Sequence, residues 1–144
     1  MPFDREQAGF SLGGPFLRDK LFWYASYEGN NQDGAVATQI GGFPQFTGTW
    51  PVPFDERMAM ARLDWNITRD VRAFARFTHN FNDGVATGRL GIGGTQVTPF
   101  ASLNSTNQTA AGLDVPTGRF THSFRFGYLN FNNILHETQI PDCP

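Results

Sequence analysis

Cysteine is nearly absent from this chain. The single residue, Cys143, excludes a disulfide framework and a thiolate metal site. Charge is scarce as well: Asp, Glu, Lys and Arg make up 17% of the 144 residues, against about 25% in an ordinary soluble domain. Only Lys20 among the 11 cationic residues is lysine. Arginine forks to several acceptors, so it suits charges held in networks more than charges left loose in solvent. The net charge of -2 leaves no electrostatic footprint for nucleic acid. No apolar run approaches the roughly 18 residues a spanning helix needs, which excludes a helical membrane protein. A membrane β-barrel is untouched by that exclusion, because its strands are short and alternating.

What is abundant is aromatic and small. Phenylalanine occurs 15 times and glycine 16 times, and the two are arranged with period 2. In "LRDKLFWYASYEG" a charged turn leads into a strand with Leu21, Trp23, Ala25 and Tyr27 on one face. Phe22, Tyr24, Ser26 and Glu28 lie on the other. "QAGFSLGG" alternates in the same way until Pro15, which is expected to end it. In "ARLDWNITRDVRAFARFTHN" two alternating runs flank the turn "TRD" and form the clearest hairpin of the chain. The period-2 pattern through Ile67 outweighs a helix over "DERMAMARL", although the turn after Pro53 is compatible with one. A weaker strand is expected near Thr106–Val115, and "FTHSFRFGYLNF" reads as the last.

Link lengths alternate along the chain. The links around Leu17–Lys20, Thr68–Asp70 and Pro116–Arg119 are short. Those at Asn30–Pro53 and Asp83–Ser105 are long, rich in Gly, Pro, Thr and Asn, and read as loops. Up-and-down strands then carry the tight turns at one end of a sheet and the long loops at the other, the arrangement of outer-membrane barrels. With Leu21, Trp23, Ala25 and Tyr27 facing lipid, Trp23 and Tyr27 are expected toward the two interfaces, and Glu28 toward a watery rim.

The polar-face candidates are Glu28, Arg62, Asp64, Arg76 and Arg125. Such residues line a passage for a polar solute or satisfy one another as cross-strand pairs, with Arg62 or Asp64 opposite Arg76; the structural role is the expected one. "GRLGIGGTQ" lacks the phosphate-loop pattern and reads as loop. His79, His122 and His136 are too widely spaced to announce a metal site. No nucleophile or acid/base constellation stands out, so neither catalysis nor a cofactor is expected.

Several blocks together resemble a known family. "QAGFSLGGPFLRDKLFWYASYEG", "VPFDER", "RLDWNITRDVRAFARFTH" and "THSFRFGYLNF" are similar to the early barrel strands of Oar-like TonB-dependent receptors, outer-membrane proteins of Gram-negative bacteria. The resemblance runs from about Glu6 to Asn133, and its first block is the most specific. It implies a large barrel enclosing a plug and energised uptake of a bulky solute through the TonB complex. No plug-like segment, TonB-contacting box or terminal aromatic closing strand is recognisable. The expectation is therefore an all-β chain, an antiparallel up-and-down meander. It forms a partial transmembrane β-barrel over residues 1–144, with about five to six strands. Its expected role is that of a non-enzymatic transporter segment in the cell outer membrane. Its partners are lipid, the rest of the parent barrel and plug, and TonB through the parent protein. The competing reading from the residues alone is a small soluble β-sandwich that binds carbohydrate or peptide at its long loops.

Overall fold

Alternation of large apolar with polar side chains leaves the backbone one economical solution, and strands fill the regular structure. The computed structural model describes residues 3–38, 48–86 and 100–137. Its elements are β1 (Asp4–Leu17), β2 (Leu21–Asp33), β3 (Ala35–Thr38), β4 (Gly48–Pro51), β5 (Phe54–Asn66), β6 (Arg72–Ala86), β7 (Phe100–Thr117) and β8 (Phe120–Glu137). Six of them form one antiparallel sheet in the order β1-β2-β5-β6-β7-β8, a meander in which every chain neighbour in the sheet is a spatial neighbour. The hairpin β3–β4 forms a separate two-stranded sheet.

The tight turns share one end of the sheet. At Arg18–Lys20 the backbone passes through a left-handed Asp19, φ 61°, a conformation short polar side chains tolerate. Gly118, φ 62°, does the same between β7 and β8. Between β5 and β6 the Thr68 hydroxyl accepts from the amides of Asp70 and Val71, at 3.3 and 3.0 Å. Asn66 stitches two of these turns together by donating to the Asp19 carbonyl at 3.1 Å. The strand ends that the longer links join, Asp33 and Phe54, and Ala86 and Phe100, lie at the opposite end.

Three sequence expectations change here. β1 runs through Pro15 to Leu17, with a register irregularity between Pro15 and Leu17. Proline is tolerated there because β1 is an outer strand with one side free of ladder bonds. The segment after Asn30 is not loop throughout: β2 continues to Asp33, and the hairpin β3–β4 follows. After Pro53 the favoured period-2 reading holds from the first residue: β5 begins at Phe54 and pairs on both sides. The link read as loop over Asp83–Ser105 is narrower than expected: β6 runs on to Ala86, and β7 begins at Phe100 as an 18-residue strand with Thr106–Val115 inside it. "GRLGIGGTQ", residues 88–96, lies outside the described residues.

The sheet is a single layer. Among the described residues only Ala101, 7% exposed, is a buried apolar side chain, and only Asn30 is a buried polar one. Domains normally bury one layer against another; here Phe10, Phe124 and Phe126 stand at least 60% exposed. A soluble sandwich needs a second sheet facing this one, and among the described residues the only other sheet is the short β3–β4 hairpin.

Candidate functional site

Register sorts the two faces sharply. On one, Leu21, Trp65, Ala73, Leu113 and Phe124 lie in a row nearest the turns. Above it come Trp23, Leu63, Ala75, Ala111 and Phe126, then Ala25, Ala61, Phe77, Thr109 and Tyr128. In the next row polarity rises on one side: Phe10, Tyr27 and Ala59 continue the apolar surface, while His79, Asn107 and Asn130 end it. The His79 ring is hydrogen-bonded to the Asn107 side chain at 2.8 Å. Beyond lie Arg57 and Asp55, paired at 3.1 Å. Trp23 thus occupies the middle of the apolar band and not a margin. Trp65 lies nearer the turns, and Tyr27 and Tyr128 mark the far margin.

The opposite face is polar and holds all five candidate residues. Four of them gather near the turns. Arg62 grips Asp64 with both Nε and Nη2, at 2.7 and 2.6 Å. Arg125 Nη2 donates to Asp114 at 2.7 Å, and Asp114 also accepts from the Ser123 hydroxyl at 2.7 Å. The Phe74 ring sits between the two arginines, 4.9 Å from the Arg62 guanidinium carbon and 5.7 Å from that of Arg125, within reach of cation–π attraction. Arg76 stands opposite Arg62 in the register. The expected cross-strand ion pair does not form there, because Asp64 is already held by its own-strand neighbour Arg62.

Glu28 is separate. It accepts a short hydrogen bond from Gln7, and β2 runs on past it to Asp33, so it lies at mid-height and not at a rim. It lines a concavity of about 610 Å³ with Gln7, Ser11, Tyr24, Met58, Met60 and Thr78. Above that runs an amide ladder. Asn80 donates to Glu56 at 2.9 Å, Asn82 to Asn80 at 3.1 Å and Asn104 to Asn82 at 2.8 Å, and Asn133 extends the chain to Asn104.

A glycine makes the aromatic–arginine cluster possible. A Cβ on Gly112 would overlap the edge of the Phe74 ring and come within 3.1 Å of Arg125 Cδ, so the ring occupies space that only glycine leaves. Gly112→Ala is expected to displace Phe74 and cost about 1–3 kcal/mol, the usual range for overpacking. Phe74→Leu in the same chain should recover part of the loss. Thermal unfolding of both variants in detergent checks this; an unchanged melting temperature for Gly112→Ala would refute the packing role.

Phe74, Asp114 and the asparagine ladder were not singled out from the sequence. Carrying the period-2 faces through each turn would have placed all of them on the polar side. Among the described residues no three His, Cys, Asp or Glu side chains converge as metal ligands. No family model matches the chain, and no curated protein is similar enough to it to show kinship.

Proposed function

We propose that this chain is a wall segment of an outer-membrane β-barrel, contributing six spanning strands to a non-catalytic transporter of the TonB-dependent, Oar-like kind. One observation carries the reading: a single-layer sheet whose apolar face forms a band bounded by polar residues. The band runs from Ala59 on β5 to Ile67, one residue past that strand, and on β8 from Phe120 to Tyr128 with His122 as a polar member, about nine residues in each case, and a transmembrane strand needs about 9–11. Its far margin steps down by one row between β5 and β8, as it does when tilted strands cross a flat membrane. Small residues at its centre, Ala25, Ala61 and Ala75, leave a shallow groove between Trp23, Leu63 and Phe77 that suits an acyl chain.

The blocks that resemble Oar-like receptors supply the transporter part of the proposal. The polar face then looks inward, and the long connections lie on the outside. The remaining strands of the barrel come from polypeptide beyond this sheet.

The testing measurement is folding of the purified chain with and without detergent, followed by circular dichroism and size exclusion. The expected result is β-rich, dispersed protein in detergent and precipitate in plain buffer. A sharp β-rich monomer in buffer would overturn the membrane reading.

A further inference from the structure

The polar face carries more cation than it neutralises near the turns. Arg62, Arg72, Arg76 and Arg125 lie there with only two carboxylates, Asp64 and Asp114, in the same rows. Arg62 holds one and Arg125 the other. The next acids up the face, Glu28 and Glu56, are engaged by Gln7 and Asn80. Arg76 is left directly opposite another arginine, and its Nε is buried with no hydrogen-bond partner. Like charges in register are destabilising, and a buried charged donor without an acceptor costs more than an ordinary missing bond. A carboxylate arriving from outside the sheet removes both penalties at once.

The same face is not a surface finished for water. Phe22 and Tyr24 are 37% and 38% exposed on it, and Leu129 and Phe131 each 61%. A small inorganic anion would satisfy Arg76 and leave those side chains bare. A stretch of polypeptide that presents an acid together with apolar neighbours covers both. We infer that the polar face is the docking surface of an acidic polypeptide segment, one of whose Asp or Glu carboxylates seats on Arg76 beside Arg62. The inference rests on the barrel reading, in which this face is the interior, and it adds the chemistry of what fills that interior.

The test uses the whole chain folded in detergent micelles and a labelled ten-residue peptide of alternating Glu and Leu. A peptide of alternating Gln and Leu is the uncharged control. The Glu peptide is expected to bind roughly tenfold more tightly than the control. Arg76→Gln should abolish that difference by weakening the Glu peptide alone, and Arg76→Lys should keep part of it. Arg57→Gln, on the opposite face, should leave both peptides unchanged. Circular dichroism shows whether each variant keeps its strands, and Arg76→Lys carries the comparison if Arg76→Gln unfolds.

Two results overturn the inference. One is a Glu-over-Gln preference that survives removal of Arg76. The other is complete displacement of the Glu peptide by millimolar acetate, which marks a site for small anions. Should the chain prove to fold as a monomer in buffer, the membrane reading falls, yet the Arg76-dependent preference stays measurable there. The two failures are thereby distinguishable.

Discussion

Arginine at Ala75 is expected to cost about 2–4 kcal/mol of folding free energy in lipid vesicles, and arginine at Gly127 about 1 kcal/mol or less. Ala75 lies in the middle row of the apolar band, between Leu63 and Ala111. Gly127 is at similar height on the polar face, opposite Ala110 and one residue from Phe126 of the Ala75 row, and a side chain there meets open space. The two substitutions add the same side chain at similar depth, so they differ only in the face that receives it. A third variant, Ala59→Arg, places the charge at the band margin, where its cost should fall toward zero because the side chain reaches the interface. Urea titration in unilamellar vesicles, followed by the fluorescence of Trp23 and Trp65, measures all three. Equal losses at Ala75 and Gly127 would remove the distinction between the faces. Equal losses at Ala75 and Ala59 would mean that protein, and not lipid, covers the band.

The second large effect concerns the edges. β1 and β8 are the outer strands of the sheet and do not pair with each other. In hydrocarbon each unsatisfied backbone group costs several kcal/mol, and no water is present to relieve it. Dispersed in detergent, the chain is therefore expected to associate edge to edge into dimers or larger species. Because β1 and β8 run antiparallel, β8 of one copy can continue the meander through β1 of the next.

Successive residues of a strand point their amides to opposite sides. Of the pair Asn130→Pro and Phe131→Pro, one therefore breaks the β7 ladder and the other blocks the free edge. The edge-blocking variant should keep its β circular dichroism and shift toward monomer in light scattering. Monomeric unmodified chain in micelles, or association indifferent to both prolines, would show that these edges are not the sticking surface.

How much of this was legible beforehand depends on the residue. The two faces of β2 were readable from "LFWYASYEG" alone, because period 2 is a local property of extended backbone and needs no partner. The tight turns at Arg18–Lys20 and Gly118–Arg119 were also local, marked by charge, glycine and length. Pro15 misled because proline stops a central strand and not an outer one, and outer position is decided by topology. The hairpin β3–β4 was hidden by composition: Gly, Thr and Pro read as loop, while strand formation there comes from pairing Val36 with Trp50 across the excursion.

The sequence by itself determined that the chain is all-β, which side chains share a face, and where short and long connections alternate. Each of these follows from backbone geometry within a few residues. Only the tertiary structure decided who stands beside whom. Arg62 meets Arg76, Phe74 lies between two guanidiniums over Gly112, and Asn80, Asn82, Asn104 and Asn133 join in one ladder. Those contacts depend on register between strands, and one residue of slip would turn each side chain to the other face. Turn length, the irregularity at Pro15 and the matching of whole apolar rows set that register together. None of the three can be read from a single strand.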